Sequence, residues 1–258
     1  MEHTVLVTGA TAGFGEATAR RFLANGHKVI ALGRRIERLE ALKASLPAEQ
    51  QKKLLNLAVD VCDSTKVDSL AAALPAEFAK VTVLVNNAGL ALGLELAHQA
   101  LLSDWDQMID TNIKGLVHMT RAFLPGMVER NCGHVINIGS VAGSYAYPGS
   151  NVYGSTKAFV NQFSLNLRAD LAATSLRVSC IEPGLSSGTE YSNVRFKGDD
   201  EKVEKVYEGV QALSPHDIAE AIYWAATLPG HVNINVMELM PVQQSFGGTV
   251  INRNALKN

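Results

Sequence analysis

The chain has 258 residues, 47% hydrophobic and 19% charged, with a formal net charge of −2. That is ordinary globular composition, long enough to bury a full core as one large α/β domain or two small ones. There is no basic excess to neutralise nucleic-acid phosphates and no apolar run near the ~18 residues of a membrane span, so neither partner is expected.

Cys62, Cys132 and Cys180 are far apart and match neither a metal cluster nor a disulfide framework. They are expected to be small core residues in a reducing compartment, and no metal is expected. The first residues run into a strand-like stretch without a basic or apolar leader, which predicts a cytoplasmic protein.

Thr4 to Thr8 is a short β-branched run of the kind that forms a buried parallel strand. Gly9-Ala-Thr11-Ala-Gly13-Phe14-Gly15 follows and leads into a helix over Glu16 to Asn25. Glycines between a strand and a helix let the backbone turn tightly and bring a phosphate to the free amides of the helix start. A flexible turn would use them too; the flanking strand and helix favour a dinucleotide site.

The second strand, Lys28 to Leu32, ends in Gly33-Arg34-Arg35. An acid at this place accepts from the adenosine ribose of NAD, whereas arginine suits the 2′-phosphate of NADP. Arg34 and Arg35, about 20 residues after the glycines, therefore favour NADP over the alternative of a solvated turn. A helix over Ile36 to Leu46, a loop through Ala48-Glu-Gln-Gln-Lys-Lys53 and a third strand, Leu54 to Val59, come next. Asp60-Val61 closes that strand; the carboxylate meets an adenine amino group or caps a helix beginning near Ser64.

Val81 to Val85 is a fourth strand, and Asn86-Asn87-Ala88-Gly89 follows at its C-terminal end, where open α/β sheets bind ligands. Ser103 with Asp106 resembles a helix start, and the helix would run toward Met127 with Asn112 in its middle. Asparagine disfavours helix interiors, so Asn112 marks either function or a buried amide bonding a neighbouring helix. Pro125 predicts a kink or a terminal turn.

His134 to Gly139 is a fifth strand that delivers Ser140 to the same edge as the glycine loop. In Asn151-Val-Tyr153-Gly-Ser-Thr-Lys157 the phenol and the amine lie four apart, one helical turn from each other on one face. A phenol titrates near 10 and carries protons poorly at neutral pH; a neighbouring ammonium favours phenolate and lowers that value. Taken alone the pair is also a solvated helix pair.

A sixth strand, Leu176 to Ile181, ends in Glu182-Pro183-Gly184. Residues from Leu185 to Asp200 show no apolar period and suit a mobile flap, taken as about 185–212. Ser214-Pro215 opens a helix to Leu228, a last strand spans Asn235 to Met240, and a tail covers about 241–258. Alternating strands and helices without repeats or linkers predict a single-domain Rossmann-type α/β fold: a doubly wound parallel sheet with helices on both faces.

Taken in order, Thr8-Gly9-x-x-x-Gly13-x-Gly15, Asp60-Val61, Asn86-Asn87-Ala88-Gly89, Asn112, Ser140, Tyr153-x-x-x-Lys157 and Pro183-Gly184 resemble the short-chain dehydrogenase/reductase family over nearly the whole chain. The resemblance implies an NADP-dependent oxidoreductase in which Tyr153 moves the proton and Lys157 lowers its pKa and binds the nicotinamide ribose. Ser140 would hold the substrate oxygen, and Asn112 would support a water chain to the lysine. Cofactor contacts would come from Thr8, Gly9, Thr11, Gly13, Phe14, Gly15, Arg34, Arg35, Asp60, Val61, Asn87, Ala88, Gly89, Pro183 and Gly184. The threonine that usually follows Pro-Gly is displaced here, leaving Ser186, Ser187 and Thr189 as alternatives for the nicotinamide amide.

Several stretches, among them Gly89-Leu-Ala-Leu-Gly93 and Asn193 to Asp199, are similar to the family's NADP-dependent 3-hydroxy acid (serine, allo-threonine) dehydrogenases. Reductases of sulfoacetaldehyde share the flap and tail, so a small anionic hydroxy or carbonyl compound is the expected substrate class. A homotetramer is implied. A sensor that binds NADP(H) without turnover is a third reading, but it has no need of Ser140, Tyr153 and Lys157. A small acid offers little apolar area, so its affinity must come from charge-assisted bonds. Arg195 in the flap is expected to supply them, or else to be exposed or to meet a cofactor phosphate. Gln243, Gln244 and Phe246 of the tail would complete the pocket, from this subunit or a neighbour.

Overall fold

The computed structural model describes residues 2–247. In chain order its first half comprises β1 (Thr4–Thr8), α1 (Gly13–Ala24), β2 (Lys28–Gly33), α2 (Ile36–Ala44), α3 (Ala48–Gln51), β3 (Leu54–Ala58), α4 (Ser64–Ala73), β4 (Val83–Asn86) and α5 (Leu102–Ile109). After a π-helical turn at Asp110–Gly115 come α6 (Leu116–Glu129), β5 (His134–Ile138), α7 (Asn151–Asp170), β6 (Arg177–Pro183), α8 (Tyr191–Arg195), α9 (Asp200–Tyr207), α10 (Pro215–Thr227) and β7 (Val236–Leu239).

The seven strands are all parallel, in the order β3-β2-β1-β4-β5-β6-β7. Because side chains alternate across a strand, each strand feeds two cores. Val5, Val7, Val29, Val83, Val85 and Ile136 pack with Phe22 of α1, Leu39 of α2 and Ile222 of α10. Leu6, Ile30, Leu84 and Val135 face the other way, against Val67 of α4, Met119 and Phe123 of α6 and Leu167 of α7. This is the predicted doubly wound sheet in one domain. No helix among the described residues is long and apolar enough to cross a membrane.

Several local expectations are corrected. Cys62 and Cys132 are exposed and only Cys180 is in the core, because Cys62 falls in the turn after β3 and Cys132 in the turn before β5. The cap of α4 is Asp63, which accepts from the Lys66 amide, while Asp60 turns back to accept from the Cys62 amide. Ser103 caps nothing, since α5 begins one residue earlier with Leu101 at its cap. Pro125 does not end its helix: it lies inside α6, which continues to Glu129, the position that the expected kink rather than the terminal turn would give it. The segment after Pro47 forms one short helix, and the flap carries α8 and α9, helices too short and polar to show an apolar period. At α10 the expected start holds: Ser214 and Asp217 cap each other reciprocally, with Pro215 in the first turn.

Candidate active site

Neighbouring strands β1 and β4 diverge in their onward connections, so a crevice opens at their C-terminal ends. Thr8 fixes one wall of it: its hydroxyl accepts from the Asn87 and Ala88 amides at 3.0 and 2.9 Å. The Asn87 side-chain amide donates in turn to the Thr8 carbonyl at 2.8 Å. Gly15 is required by this arrangement, because a Cβ there would stand 2.3 Å from the Gly9 carbonyl oxygen and 2.6 Å from Asn87 Nδ2. Gly9 and Gly13 have φ of +66° and +53°, the left-handed region that glycine tolerates.

Helix α1 starts beneath this loop with Ala12 at its cap and no side chain on its first amides. Those amides face a cavity of about 720 Å³ lined by Gly9, Thr11, Ala12, Gly13 and Phe14. A bare helix start in a glycine cradle, with arginines close by, is a donor set that fits a dinucleotide diphosphate. The same cavity is lined by Arg34, Arg35, Asp60, Val61, Asn87, Ala88, Gly89, Ser140, Tyr153, Lys157, Pro183, Gly184, Ser186, Thr189 and Arg195. Three predicted residues, Thr8, Gly15 and Asn112, stand behind its wall, and Ser187 does not line it.

Tyr153 and Lys157 lie on α7, with Lys157 Nζ 6.0 Å from the centre of the phenol ring. Lys157 donates to the Ile138 carbonyl at 2.8 Å, which anchors it to the end of β5, and burial pulls its pKa down to about 8. Burial pushes the Tyr153 phenol up; the Tyr191 and Ser140 hydroxyls and then Arg195 pull it back. Ser140 accepts from the Ala142 amide at 3.1 Å and donates to the Pro183 carbonyl at a long 3.4 Å.

Asn112 sits in the π-helical turn between α5 and α6, a feature common at functional sites. Its side chain accepts from the Leu90 amide at 2.9 Å and donates to the Leu90 carbonyl and to Thr156 on α7. A Cβ on Gly89 would stand 3.2 Å from Asn112 Oδ1 and 3.6 Å from Lys157 Nζ. Asn112 thus ties the loop after β4 to the lysine's surroundings.

The flap folds over this floor. Its stems pair with each other, the Ser187 amide donating to the Leu213 carbonyl and the Leu213 amide to the Leu185 carbonyl. Gln244 accepts from the Leu185 amide at 2.7 Å and lines the cavity, and Gln243 accepts from the Gln211 amide at 2.7 Å. Both tail glutamines thus bond the two ends of the flap segment of their own chain, and Phe246 packs on Tyr145 at 4.8 Å. The tail beyond residue 247 lies outside the described residues.

Arg195, at the end of α8, is 9% exposed. It donates to the Gly93 carbonyl at 3.2 Å and to the Tyr147 hydroxyl at 3.1 Å, and its guanidinium lies 5.5 Å from the Tyr153 ring centre. Sequence reasoning missed Tyr147, Glu190 and Tyr191 as cavity residues, and Arg38 as a partner of Glu190. The run Tyr145-Ala-Tyr147-Pro ahead of α7 was the one available signal for the first of them.

A dinucleotide cradle at the switch point of a parallel sheet, with a phenol, an amine and a hydroxyl converging on it, defines an oxidoreductase of the Rossmann class. A family model described as short chain dehydrogenase matches residues 3–200, and the chain belongs to that family. It is 63% identical over 250 residues to the NADP-dependent 3-hydroxy acid dehydrogenase YdfG of Salmonella typhi, covering 97% of this chain and 99% of the relative. It is 49% identical over 255 residues to a serine 3-dehydrogenase of Agrobacterium fabrum, covering 99% and 100%. Among solved structures, the closed form of serine dehydrogenase complexed with NADP+ superposes with a TM-score of 0.93 at 61% identity, covering 96% of this chain and 99% of the other.

Proposed function

We propose that this protein is an NADP-dependent dehydrogenase that interconverts a short 3-hydroxy acid of the serine, allo-threonine or 3-hydroxypropionate type and its 3-oxo acid or semialdehyde. The observation that carries this is a buried arginine, Arg195, held over the ring of Tyr153 in the cavity that Ser140 and Lys157 also line. The similarity to 3-hydroxy acid and serine dehydrogenases supports the same substrate class.

NADP, when bound, supplies the hydride acceptor, and its reduced form the donor. Gly9, Thr11, Gly13 and Phe14 would hold its diphosphate, with Thr8 and Gly15 shaping the loop, and Arg34 and Arg35 its 2′-phosphate. Asp60 and Val61 would hold the adenine. Asn87, Ala88 and Gly89 would lie along the chain between the two nucleosides, and Pro183, Gly184 and either Ser186 or Thr189 would meet the nicotinamide. Lys157 would bind the nicotinamide ribose.

On the substrate side, the Ser140 hydroxyl leaves its long bond to Pro183 and donates to the substrate oxygen. The Tyr153 phenol gives that oxygen its proton in the reductive direction and takes it in the oxidative one. Lys157, anchored to Ile138 and poised near 8, holds positive charge beside the phenol and passes protons onward. Asn112 keeps the lysine's surroundings in place. The Arg195 guanidinium receives the carboxylate, and its fork suits two parallel bonds to a planar acid.

A sulfonate would meet the same guanidinium, so reduction of sulfoacetaldehyde or another small anionic aldehyde is the alternative substrate reading. A non-catalytic NADP(H) sensor is the third. The working form is taken to be a cytoplasmic homotetramer, with the flap at about 185–212 closing over each site. Light scattering at enzyme concentrations used for assay tests the assembly.

The deciding experiment measures initial rates with NADP and NAD against L-serine, L-allo-threonine, 3-hydroxypropionate and isethionate. Fast turnover of the hydroxy acids with NADP is expected. A clear preference for isethionate moves the assignment to sulfoacetaldehyde, and NADPH binding with no turnover of any substrate moves it to the sensor.

A further inference from the structure

The flap meets the arginines of β2 through a single carboxylate. Glu190, the residue that precedes α8, accepts from Arg35 NH2 at 2.6 Å and NH1 at 3.3 Å, and from Arg38 NH2 at 2.9 Å. Arg35 NH2 also donates to Thr11 of the glycine loop at 3.0 Å. Next to Glu190, Thr189 packs on that loop, so close that a Cβ on Gly13 would stand 2.9 Å from its methyl carbon. Arg34 makes no hydrogen bond or ion pair among the described residues.

An arginine offers five donors in a fixed fork, and the two terminal nitrogens are the ones that grip an oxyanion bidentately. In Arg35 both of those nitrogens are turned to Glu190. We propose that the Glu190 carboxylate occupies the seat of the cofactor's 2′-phosphate on Arg35 and Arg38, so that the phosphate and the flap compete for the same guanidiniums. The inference rests on the reading of this arginine cluster as the 2′-phosphate site, and adds Arg38 to it.

Geometry and charge both carry the exchange. A phosphate dianion beside an unmoved Glu190 would place like charges around one fork, whereas phosphate in place of carboxylate leaves Arg34, Arg35 and Arg38 facing it together. Gly188, at φ +70°, separates Glu190 from the paired flap stem at Ser187. Glu190 can therefore swing without breaking that stem. NADP releases the carboxylate and NAD leaves it in place, which makes the flap sensitive to the one group that distinguishes the cofactors. Glu190 becomes a specificity residue that sets how tightly the 2′-phosphate is held.

The test is calorimetric and independent of turnover. Wild-type protein and Glu190→Gln, which keeps the side-chain shape, are titrated with adenosine 2′,5′-bisphosphate and with 5′-AMP, two ligands that differ only in the 2′-phosphate. Competition predicts that Glu190→Gln binds the bisphosphate roughly two- to fivefold more tightly, the scale of a half-exposed ion pair, with 5′-AMP unchanged. Equal or weaker binding of the bisphosphate by the variant overturns the proposal and makes Glu190 a support for the arginines. If wild-type protein does not prefer the bisphosphate over 5′-AMP, the arginine reading itself fails, and this inference with it.

Discussion

Arg195 reaches the cavity on a flap helix yet is as buried as a core side chain, and burying a guanidinium is costly unless its donors are used. Gly93 and Tyr147 use two of them, and a substrate carboxylate would use what is left. Arg195→Ala should raise KM for acidic substrates roughly tenfold or more, the scale of a charge-assisted bond, with little change for an uncharged carbonyl of similar size. Equal loss for both substrates would mean that Arg195 serves the flap or the cofactor. Tyr153→Phe keeps the packing and removes the transferable proton, so turnover should vanish while NADPH binding, read by fluorescence, stays nearly intact. Lys157→Ala should harm both. These three side chains were legible because spacing or charge in the sequence reported them. Glu190 was not, and Tyr147 only through its aromatic run ahead of α7: each meets Arg195 or Arg35 from far along the chain, and no spacing in the sequence marks that convergence.

Among the elements, the π-helical turn explains why an asparagine sits inside a helical run. Asn112 is not exposed there; its side-chain amide bonds both backbone groups of Leu90 and the Thr156 hydroxyl. The buried amide bonding a neighbouring helix is the reading these bonds describe, the functional reading stands beside it as a proposal, and the loop the side chain holds is the one after β4. Asn112→Ala would orphan the Leu90 amide and carbonyl, at about 1–3 kcal/mol, and lower the melting temperature by several degrees. Cofactor affinity should fall with it, because the Asn87–Gly89 wall loses its tether. A variant with unchanged melting temperature and weakened binding would separate the two roles. Strands were readable to within a residue or two, since β-branched runs bounded by glycine leave little choice. Helix ends were less so: Asp60 and Asp63 are equally good caps by type, and only the path of the chain after β3 decides between them. The flap helices escaped notice because short polar helices are held by contacts with the floor rather than by their own pattern.

At the scale of the whole molecule, the parallel sheet puts the site at one edge and leaves a cluster of histidines at the other, where the strands begin. His134 at the start of β5 is bonded to Ser179, with its other ring nitrogen unpartnered. His3 Nδ1 lies 3.2 Å from the Thr82 hydroxyl, and His27 Nδ1 accepts from the His3 amide. Burial lowers all three, His3 to about 4 and His134 well below its usual value, with the neighbouring Arg177 pushing His3 and His134 the same way. The native state therefore holds these rings neutral while the unfolded chain protonates them near 6.5, so below that pH the unfolded state binds more protons. Stability is full above about 6.5 and is lost progressively as pH falls toward 4. Carboxylates held low by their partners, such as Glu190 and Asp217, lose their contribution as pH falls through and below their ordinary range, so from about 6.5 to 4.5 the downward trend is set by the histidines. Glu182, whose buried carboxyl is raised, runs against the trend as the medium becomes acid. Urea midpoints at pH 8, 6.5, 5.5 and 4.5 should thus fall across the last three values, and His3→Gln with His134→Gln should flatten that fall. A wild-type midpoint that stays level from pH 6.5 to 4.5 would show that the cluster does not govern acid stability.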